Sequence, residues 1–498
     1  MRSPAIPCLV AVAGLAFAPT AHAQYTTPNT GQTYSLDDLV ALSGGVFTAT
    51  SDTSYLQSAD FTLAANDTLV VYDDVTWAVA TAASISIAGT FIATPPAGAV
   101  LTAENETLHH QGIRFEQGSH VDLQRVAITH GGGIKCLTAD LVLDHCTISD
   151  QQSNATTGAA LELPSGKVFI SHVTFEGNEH AAISSAANGQ AAPQITDCTF
   201  LNNGSANTNR PQINLGPSGT DTTLIRNNTV IGDPAHTMVG GIAFSSLLGV
   251  EGHVVIDSNL VQDNRYGVTI TGNGITALIT NNILMDNNTQ GDPMLGGSGI
   301  NLYGGNTNVT MAYGNRISGN LWGVTLQSAA IANFGDTAIA TFNPGGNSFA
   351  NNGNGGVTYA LYNNTPNPLP AMNNCWDFEQ PMTDPDSIAT VIFDAADDAS
   401  LGEVFYQPFS TCGITTGVEA AEVADALTVH PNPAHGAINV GSMRPMEGYA
   451  LFDVRGQLVQ NGSWPKDGRI SISSLRTGLY LLKASGNAAE YSTRIVVE

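Results

Sequence analysis

Positive charge is scarce in this 498-residue sequence, which has 16 Lys and Arg residues against 42 Asp and Glu residues and a formal net charge of −26. A chain this acidic is repelled by phosphate backbones and by anionic membrane surfaces, which argues against nucleic acid and against such membranes as partners. The same repulsion works against acidic polysaccharides unless a bound cation bridges the two. The composition therefore favours a soluble, self-repelling exported protein.

Long hydrophobic runs are also lacking beyond the N-terminus, so we predict no integral membrane segment. Residues 1–23 have the pattern of a secretory signal peptide, with a charge at Arg2, an apolar run over residues 6–18, and small residues at Ala21 and Ala23 before the cleavage site. We therefore expect export from the cytoplasm and removal of this segment.

Helical periodicity is absent as well, and a six-residue pattern instead recurs through the middle of the chain about every 28 residues. A repeat of this length is typical of a solenoid in which each repeat is one turn of short strands, and Gly and Asn in every repeat indicate tight turns. The copies are LQRVAI at 123–128, LDHCTI at 143–148, ISHVTF at 170–175, ITDCTF at 195–200, IRNNTV at 225–230, IDSNLV at 256–261, ITNNIL at 279–284, AYGNRI at 312–317, PGGNSF at 344–349 and AMNNCW at 371–376.

The columns of this repeat predict the interior of the solenoid. The sixth position is always apolar, so one side chain per turn stacks on the next about 4.8 Å away and builds a continuous core. The fourth position is apolar in the first copies and Asn in the later ones: Val126, Cys146, Val173 and Cys198, then Asn228, Asn259, Asn282, Asn315, Asn347 and Asn374. A second polar column follows three residues after the hexamers: Asn178, Asn203, Asp233, Asn264, Asn287, Asn320 and Asn352. Asn tolerates the left-handed conformation and its amide can pair along a stack, so we predict turns and hydrogen-bonded ladders at both columns.

With these repeats the chain resembles the right-handed parallel β-helix proteins of the pectin-lyase-like superfamily over roughly residues 36–412. The resemblance implies an all-β fold, with residues 24–96 as an N-terminal cap and first strands, and residues 97–412 as the β-helix with its C-terminal capping segment. It implies no single function, because the superfamily includes lyases, hydrolases, adhesins and non-catalytic surface proteins.

Cysteine is rare, and five of the six residues follow the signal peptide. Cys146 and Cys198 share a column but lie two turns apart, roughly 9–10 Å, which is too far for a bond, so we interpret them as small core residues. The pairing of Cys136 stays open. Cys375 and Cys412 flank the last segment of the solenoid and are the pair that we expect to form a disulfide in an oxidising compartment.

After a predicted linker over residues 413–425, the composition shifts to alternating strands separated by Gly and Pro turns, the pattern of a small β-sandwich. Residues 426–498 strongly resemble the C-terminal sorting domain, type A, of the type IX secretion system. The residues that match are Pro431, Asn432, Pro433, Gly436, Gly456, Gly478 and Tyr480. The resemblance implies a Bacteroidetes-type outer membrane, export from the periplasm to the outer cell surface, and the secretion machinery and its sorting protease as partners.

The candidate binding residues occupy the third hexamer position on four successive turns. If they point outward, they form a polar strip about 14 Å long, enough to touch two or three sugar units of a polysaccharide. Imidazoles there could transfer protons and a guanidinium could bind a carboxylate, and the alternative is a solvent-exposed ladder at a turn. The four residues are Arg125, His145, His172 and Asp197.

Long excursions at 204–212, 234–240 and 288–298 leave the same corner of the solenoid according to the repeat register, and such loops often build a binding face. They contain few ionisable groups, which favours recognition over acid–base chemistry. Aromatic residues suited to stacking on sugars are sparse, and the candidates are Tyr266, Tyr303, Tyr313 and Trp322.

No catalytic set and no cofactor are predicted. Calcium is the metal that the acidic loop with Asp394, Asp397 and Asp398 could hold, but its spacing is not that of a regular calcium loop, which favours a solvated loop. The sequence thus indicates a secreted, surface-attached protein with a carbohydrate-binding, structural or adhesive role. The alternative is a polysaccharide lyase or glycoside hydrolase acting on the face of the β-helix.

Overall fold

The computed structural model describes residues 24–412 and, in the C-terminal part, residues 427–432, 434–442, 446–453, 458–486 and 489–497. The chain forms two compact units, residues 1–413 and residues 414–498. The predicted signal peptide, the predicted linker over residues 413–425, and Pro433 and Gly456 of the sorting pattern lie outside the described residues.

The first unit is a right-handed parallel β-helix with three long sheets, and each turn of chain adds one strand to sheet 3, then sheet 2, then sheet 1. In the described part of the chain, sheet 1 contains 14 strands: Gln24–Thr26, Asp60–Leu63, Ile85–Ile87, Ile113–Phe115, Ile134–Cys136, Ala159–Leu163, Ala181–Ser185, Ile213–Leu215, Ile242–Ser246, Val268–Gly272, Ser298–Gly304, Trp322–Ser328, Leu361–Asn364 and Ile392–Phe393.

The other two sheets follow the same register. Sheet 2 consists of Phe47–Ser51, Ser54–Gln57, Thr76–Val79, Ala99–Ala103, Val126–Thr129, Thr147–Ser149, Thr174–Glu176, Thr199–Leu201, Thr229–Ile231, Leu260–Gln262, Ile283–Met285, Arg316–Ser318 and Ser348–Ala350. Sheet 3 consists of Thr33–Tyr34, Thr68–Val71, Thr90–Ala93, His120–Gln124, Leu141–Asp144, Phe169–Ser171, Gln194–Thr196, Thr222–Arg226, Gly252–Asp257, Ile275–Thr280, Val309–Tyr313 and Ala332–Asn333.

Both ends of the β-helix are covered. A short helix, Leu36–Leu42, begins at a capping box between Ser35 and Asp38 and buries Leu36 and Leu39 against the core. The first strand of sheet 1 begins at Gln24, before this helix in the chain. At the other end, the helix Pro385–Ala389 buries Ile388.

The last turns of the β-helix are less regular than the rest. They contain a 3-10 helix at Ile339–Thr341 and short strand pairs that lie outside the three long sheets. Those strands are Gly353–Asn354 with Val357–Thr358, and Leu369–Pro370 with Val404–Phe405. A disulfide joins Cys375 to Cys412, the pair that the sequence singled out.

The hexamer spans the corner between sheet 3 and sheet 2. In the first eight copies, its first two residues end a sheet 3 strand, its third residue is a one-residue turn, and its last residues enter sheet 2. The turn residues have positive φ, for example 53° at His145 and 54° at His172. The prediction that the Asn residues of both columns adopt this conformation was wrong. Each turn is made one residue earlier, as at Asn202 and Asp286 in the second column, and the Asn side chains of both columns face the interior.

The fourth-position Asn residues form the predicted ladder inside the β-helix. Each Nδ2 donates to the Oδ1 of the next Asn at 2.9 to 3.0 Å, from Asn228 through to Asn374. The same Oδ1 atoms accept from the backbone amides one turn earlier, as in Asn259 to Asn282 at 2.9 Å. Each amide thus satisfies backbone groups that the interior would otherwise leave unpaired.

The second column also forms a ladder, with one substitution that the sequence pattern missed. Asp233 is not part of it, because its carboxylate accepts from the amide of Ala235 at the surface. Gln212 takes that place: its Oε1 accepts from Asn203 Nδ2 at 2.9 Å and its Nε2 donates to Asn264 Oδ1 at 3.0 Å. A glutamine from a neighbouring segment therefore continues the stack of amides.

The second unit contains a three-stranded and a four-stranded antiparallel sheet. The described strands are Leu427–His430, Ala437–Ser442, Gly448–Asp453, Leu458–Ser463, Arg469–Ser471, Gly478–Gly486 and Ala489–Val497. Ile438, Leu451, Ile472, Leu482 and Ile495 are fully buried in its separate core. The short alternating strands thus form the sheets that the sequence pattern predicts for this tail.

Candidate functional site

A groove lies on the outer face of sheet 1 where four neighbouring strands run side by side. Two rows of outward side chains cross these strands in register: Thr269, Asn301, Thr325 and Tyr362 in one row, and Thr271, Tyr303, Gln327 and Asn364 in the other. The groove has a volume of about 430 Å³, within the range of small-molecule and sugar-sized sites.

Two of the three predicted excursions form one wall of this groove. They connect sheet 2 to sheet 1, so they leave the β-helix at one corner and pass beside sheet 1. Asn209 of the first excursion and residues 293–296 of the third line the groove. Arg265 joins them, because its Nη1 donates to Asn209 Oδ1 at 2.6 Å and its Nη2 donates to the carbonyl of Leu295. The buried guanidinium therefore fixes the wall.

Aromatic side chains form one end of the groove. Trp322 packs against Tyr359 and Tyr362 with ring centroids 4.7 and 4.9 Å apart, and its indole donates to the carbonyl of Pro293 at 3.0 Å. Of the aromatic residues predicted to stack on sugars, Tyr266 and Trp322 line the groove, and Tyr303 lies in the second row. Tyr313 lies on sheet 3, away from it, and Tyr362 was missed.

The floor of the groove is already organised by hydrogen bonds between side chains. Ser298 Oγ lies 2.9 Å from Thr325 Oγ1, which donates to Asn301 Oδ1 at 2.9 Å. Asn301 Nδ2 donates in turn to Thr269 Oγ1 at 2.9 Å. This series of hydrogen bonds fixes which hydroxyl and amide groups face the groove. These side chains therefore lose little conformational entropy when a ligand binds.

Among the described residues that line the groove there is no carboxylate, imidazole or lysine. Its ionisable side chains are Arg265, Tyr266 and Tyr362. Burial raises the pKa of Tyr266 to about 12, although the nearby charge of Arg265 works against this. At neutral pH the groove therefore offers neutral hydrogen-bonding groups and aromatic faces, and no pair of groups suited to general acid–base catalysis.

The predicted polar strip lies on another part of the surface, at the corner between sheet 3 and sheet 2. The third-position residues do follow one another there, each as a turn residue with positive φ. Arg125 is turned aside, since its Nε donates to the carbonyl of Pro95 at 2.7 Å, and Asp197 accepts from Asn227 Nδ2 at 3.3 Å. The structure brings only His145 and His172 together, with stacked rings whose centroids are 4.4 Å apart.

Asp144 connects these two rings and was not among the predicted binding residues. Its carboxylate lies 2.8 Å from His145 Nδ1 and 3.0 Å from His172 Nδ1, and it accepts from Ser171 Oγ at 2.7 Å. Partial burial works to raise the pKa of Asp144, but the hydrogen bonds from Ser171 and both histidines outweigh it and lower the pKa to about 2. The carboxylate is therefore ionised at any physiological pH.

The acidic loop near the end of the β-helix uses its carboxylates locally. Asp394 accepts from the backbone amides of Ala396 at 2.9 Å and Val404 at 2.7 Å, and Asp397 accepts from the amide of Asp394 at 3.2 Å. Asp398 accepts from the amide and the hydroxyl of Ser400. These bonds give the loop a structural role. Calcium there stays an untested hypothesis.

Among the described residues of the second unit, three of the predicted sorting residues have a defined structural role. Asn432 Oδ1 accepts from the amide of Val496 at 2.8 Å, and Tyr480 donates its hydroxyl to the carbonyl of Arg476 at 2.8 Å. Gly436 has a φ of 70°, a left-handed conformation that favours glycine.

Comparison with protein families agrees with both units. Residues 97–246 match the family model of the right handed beta helix region, and residues 428–498 match that of the secretion system C-terminal sorting domain. The chain is a right-handed β-helix protein with a C-terminal sorting domain. The sorting domain implies that this β-helix protein is secreted and interacts with a secretion machinery.

A search of solved structures matches this chain distantly to the periplasmic alginate epimerase AlgG, with 10% sequence identity and a TM-score of 0.44. The match covers 76% of this chain and 83% of the epimerase. Among curated proteins, none matches the chain. No helix in the described residues is long and apolar enough to cross a membrane.

Proposed function

We propose that this secreted β-helix protein binds a polysaccharide in the groove on sheet 1, without cleaving it. The observation that carries this proposal is the combination of Trp322 and Tyr362 with two rows of hydroxyl and amide side chains. Sugars present apolar ring faces to aromatic side chains and hydroxyls to groups that both donate and accept hydrogen bonds. Four strands at about 4.8 Å spacing give the groove a length of about 14 Å, enough for two or three sugar units.

A neutral polysaccharide suits the groove better than an acidic one. The whole chain carries a net charge of −26, which repels polyanions. The positive group in the groove, Arg265, already donates both Nη atoms to the wall. A ligand therefore meets neutral partners along the two rows.

The alternative function is a lyase or hydrolase that acts on the same face. The groove lining favours binding, because hydrolysis of a glycosidic bond commonly uses a pair of carboxylates and the lining supplies none. The strip at His145 and His172 is the other sugar contact that the sequence suggests. Its rings stack on each other at a convex corner, so one face of each ring is covered, which favours the groove over the strip.

The test is binding of the full chain to a panel of neutral and acidic polysaccharides, measured by calorimetry and by a glycan array. Trp322→Ala should weaken binding about 30-fold, the effect expected for loss of an aromatic residue that contributes strongly to binding. Tyr72→Ala, at a half-exposed aromatic outside the groove, is the matched control and should bind like the wild type. Equal affinity of the Trp322 variant and the wild type would exclude the groove.

A depolymerisation assay on the same panel separates binding from catalysis. We expect neither new reducing ends nor unsaturated products, with or without calcium. Unsaturated products would identify a lyase, and new reducing ends without them would identify a hydrolase.

We also propose that the sorting domain is of the type IX system, that its sorting protease removes the tail, and that the mature protein is attached to the outer cell surface. The match over residues 428–498 supports export, and the resemblance of the tail to type A domains supports the route. Mass spectrometry of the protein recovered from cells with this system should find the β-helix at the surface without residues 426–498. An intact C-terminus on the surface protein would contradict removal of the tail.

A further inference from the structure

The cluster of Asp144, His145 and His172 has no part in the proposed sugar groove. It lies at the corner between sheet 3 and sheet 2, whereas the groove is on the outer face of sheet 1, several turns further along the β-helix. One ligand atom from each of the three residues lies within 4.8 Å of the others. Among the described residues, these three form the one group of three or more His, Cys, Asp or Glu side chains whose ligand atoms are close enough to hold a single ion.

The fold brings these three side chains together from equivalent positions on two successive turns. His145 and His172 are turn residues one turn apart, and the turn conformation directs both imidazoles outward. Asp144 ends the sheet 3 strand just before His145, and Ser171 Oγ donates to its carboxylate at 2.7 Å beside the stacked rings. Both Nδ1 atoms therefore face one carboxylate across 2.8 and 3.0 Å.

Two imidazoles and one carboxylate are a common ligand set for zinc and other divalent transition metals. The side chains of His145 and His172 are 57% and 50% exposed, so each ring can turn to aim its nitrogen at a shared ion without disturbing the core. The ion would replace the protons that the rings share with the carboxylate, and solvent would supply the remaining ligands. The negative charge of the chain favours a cation here.

We propose that Asp144, His145 and His172 form a binding site for a divalent transition metal ion of the zinc class. The ion joins the turn that contains Leu141–Asp144 to the turn that contains Phe169–Ser171. It acts as a surface link between two turns of the β-helix, in addition to strand pairing, core packing and hydrogen bonds such as that from Ser171 to Asp144.

The test uses the full chain without an affinity tag, treated with chelator and then dialysed against micromolar ZnCl₂. We expect about one zinc per chain by elemental analysis, and a melting temperature that rises with zinc. The double variant His145→Ala, His172→Ala should lose both the bound zinc and the rise in melting temperature. Because both rings are half-exposed, the variant should keep the wild-type circular dichroism spectrum, which makes loss of zinc interpretable.

His120→Ala is the matched control, because His120 also pairs with a carboxylate, Asp140, at 2.8 Å but has no second imidazole beside it. This variant should bind zinc like the wild type. Calcium should not compete, since it prefers oxygen ligands. Retention of zinc by the double variant, or no zinc on the wild type, would overturn the proposal and leave a hydrogen-bonded ladder only.

Discussion

The same interior column of the β-helix is filled by two different kinds of side chain. In the first turns that carry the hexamer its members are Val126, Cys146, Val173 and Cys198, and in the later turns it is a continuous stack of Asn. All are buried, so the fold accepts both an apolar and an amide column. The difference shows that the fold requires a small inward-facing side chain at this position, but does not require the hydrogen-bonded ladder.

The two cysteines of the apolar part donate to the same kind of backbone carbonyl as the Asn residues of the amide part. Cys146 Sγ donates to the carbonyl of Leu123 at 3.2 Å, and Cys198 Sγ donates to that of Ile170 at 3.6 Å. These carbonyls belong to the first hexamer residue of the preceding turn, as do the carbonyls that the Asn Nδ2 atoms reach, such as Ile256 for Asn282. The thiols thus make a weak version of the bond that the amides make strongly.

The outer side of the corner has a polar network in both parts. In the apolar part, the turn residues and their neighbours carry the polar network of Asp144, His145 and His172 outside the β-helix. In the amide part a similar outer network is present, because Arg226 and the turn residue Asn281 both donate to the carboxylate of Asp257. Hydrogen bonds between turns are therefore present at the surface in both parts, and the amide part adds the ladder in the interior.

The largest expected effect comes from breaking the amide column at its centre. Asn282→Val removes two donated bonds, to Ile256 and Asn315, and two accepted from Asn259. Because buried partners are left unpaired, we expect a loss of about 3–5 kcal/mol in the free energy of unfolding, measured by urea denaturation.

The reverse change, Val173→Asn, is its counterpart in the apolar part and should cost only about 1–2 kcal/mol, because the carbonyl of Leu143 is there to accept from the new amide. Equal costs for the two changes would show that the ladder contributes nothing beyond packing.

The disulfide next to the end of the ladder ranks second. It closes a segment with a sequence separation of 37 residues. Replacing both Cys375 and Cys412 by Ser should lower the free energy of unfolding by about 3–4 kcal/mol, because the unfolded chain gains the entropy of the open loop. The wild type should lose the same amount in reductant, and the variant should be insensitive to it. A wild type equally stable with and without reductant would contradict this.

Gln212 tests how far the amide ladders depend on continuity. Gln212→Leu keeps the volume but leaves Asn264 Oδ1 without its donor at 3.0 Å and removes the acceptor of Asn203 Nδ2. We expect a loss of about 2 kcal/mol in the free energy of unfolding. Gln194→Leu is the control, because Gln194 is half-exposed and water can replace its bonds, so its loss should be within about 0.5 kcal/mol. Similar losses at both positions would show that continuity is unimportant.

The sequence was sufficient for the turns of the β-helix, because each turn must place one apolar residue in the same stack, and this leaves a visible period. The sequence analysis assigned the left-handed turn conformation to the ladder Asn residues, because Asn favours positive φ in general. In the structure these Asn side chains are buried in the ladder, and the residue before each of them makes the turn. It missed Gln212, Tyr362 and Asn364, which come from segments outside the hexamer. It noted the motif that contains Asp144 but not its role, because contact between successive turns depends on spatial register.

The smallest expected effect is the dependence of stability on pH at the outer network. Asp144 has a pKa of about 2 in the folded protein, below its ordinary value, so its contribution is complete above about pH 4 and is lost as the pH falls towards 2. Its side chain is 30% exposed, and screening by solvent reduces the contribution to about 1 kcal/mol.

Urea denaturation of the wild type and of Asp144→Asn at pH 5 and pH 2.5 measures this difference. The stability gap between the two proteins should be full at pH 5 and fall to about a third of that at pH 2.5, because the carboxyl is then protonated in the unfolded chain and partly protonated in the folded one. Asp140→Asn is the control, since Asp140 is 63% exposed and pairs with His120 alone, and it should give no gap at either pH. A gap for Asp144→Asn of the same size at pH 5 and pH 2.5 would mean that the carboxylate charge does not hold the two turns together, and that shape alone joins the apolar part of the column.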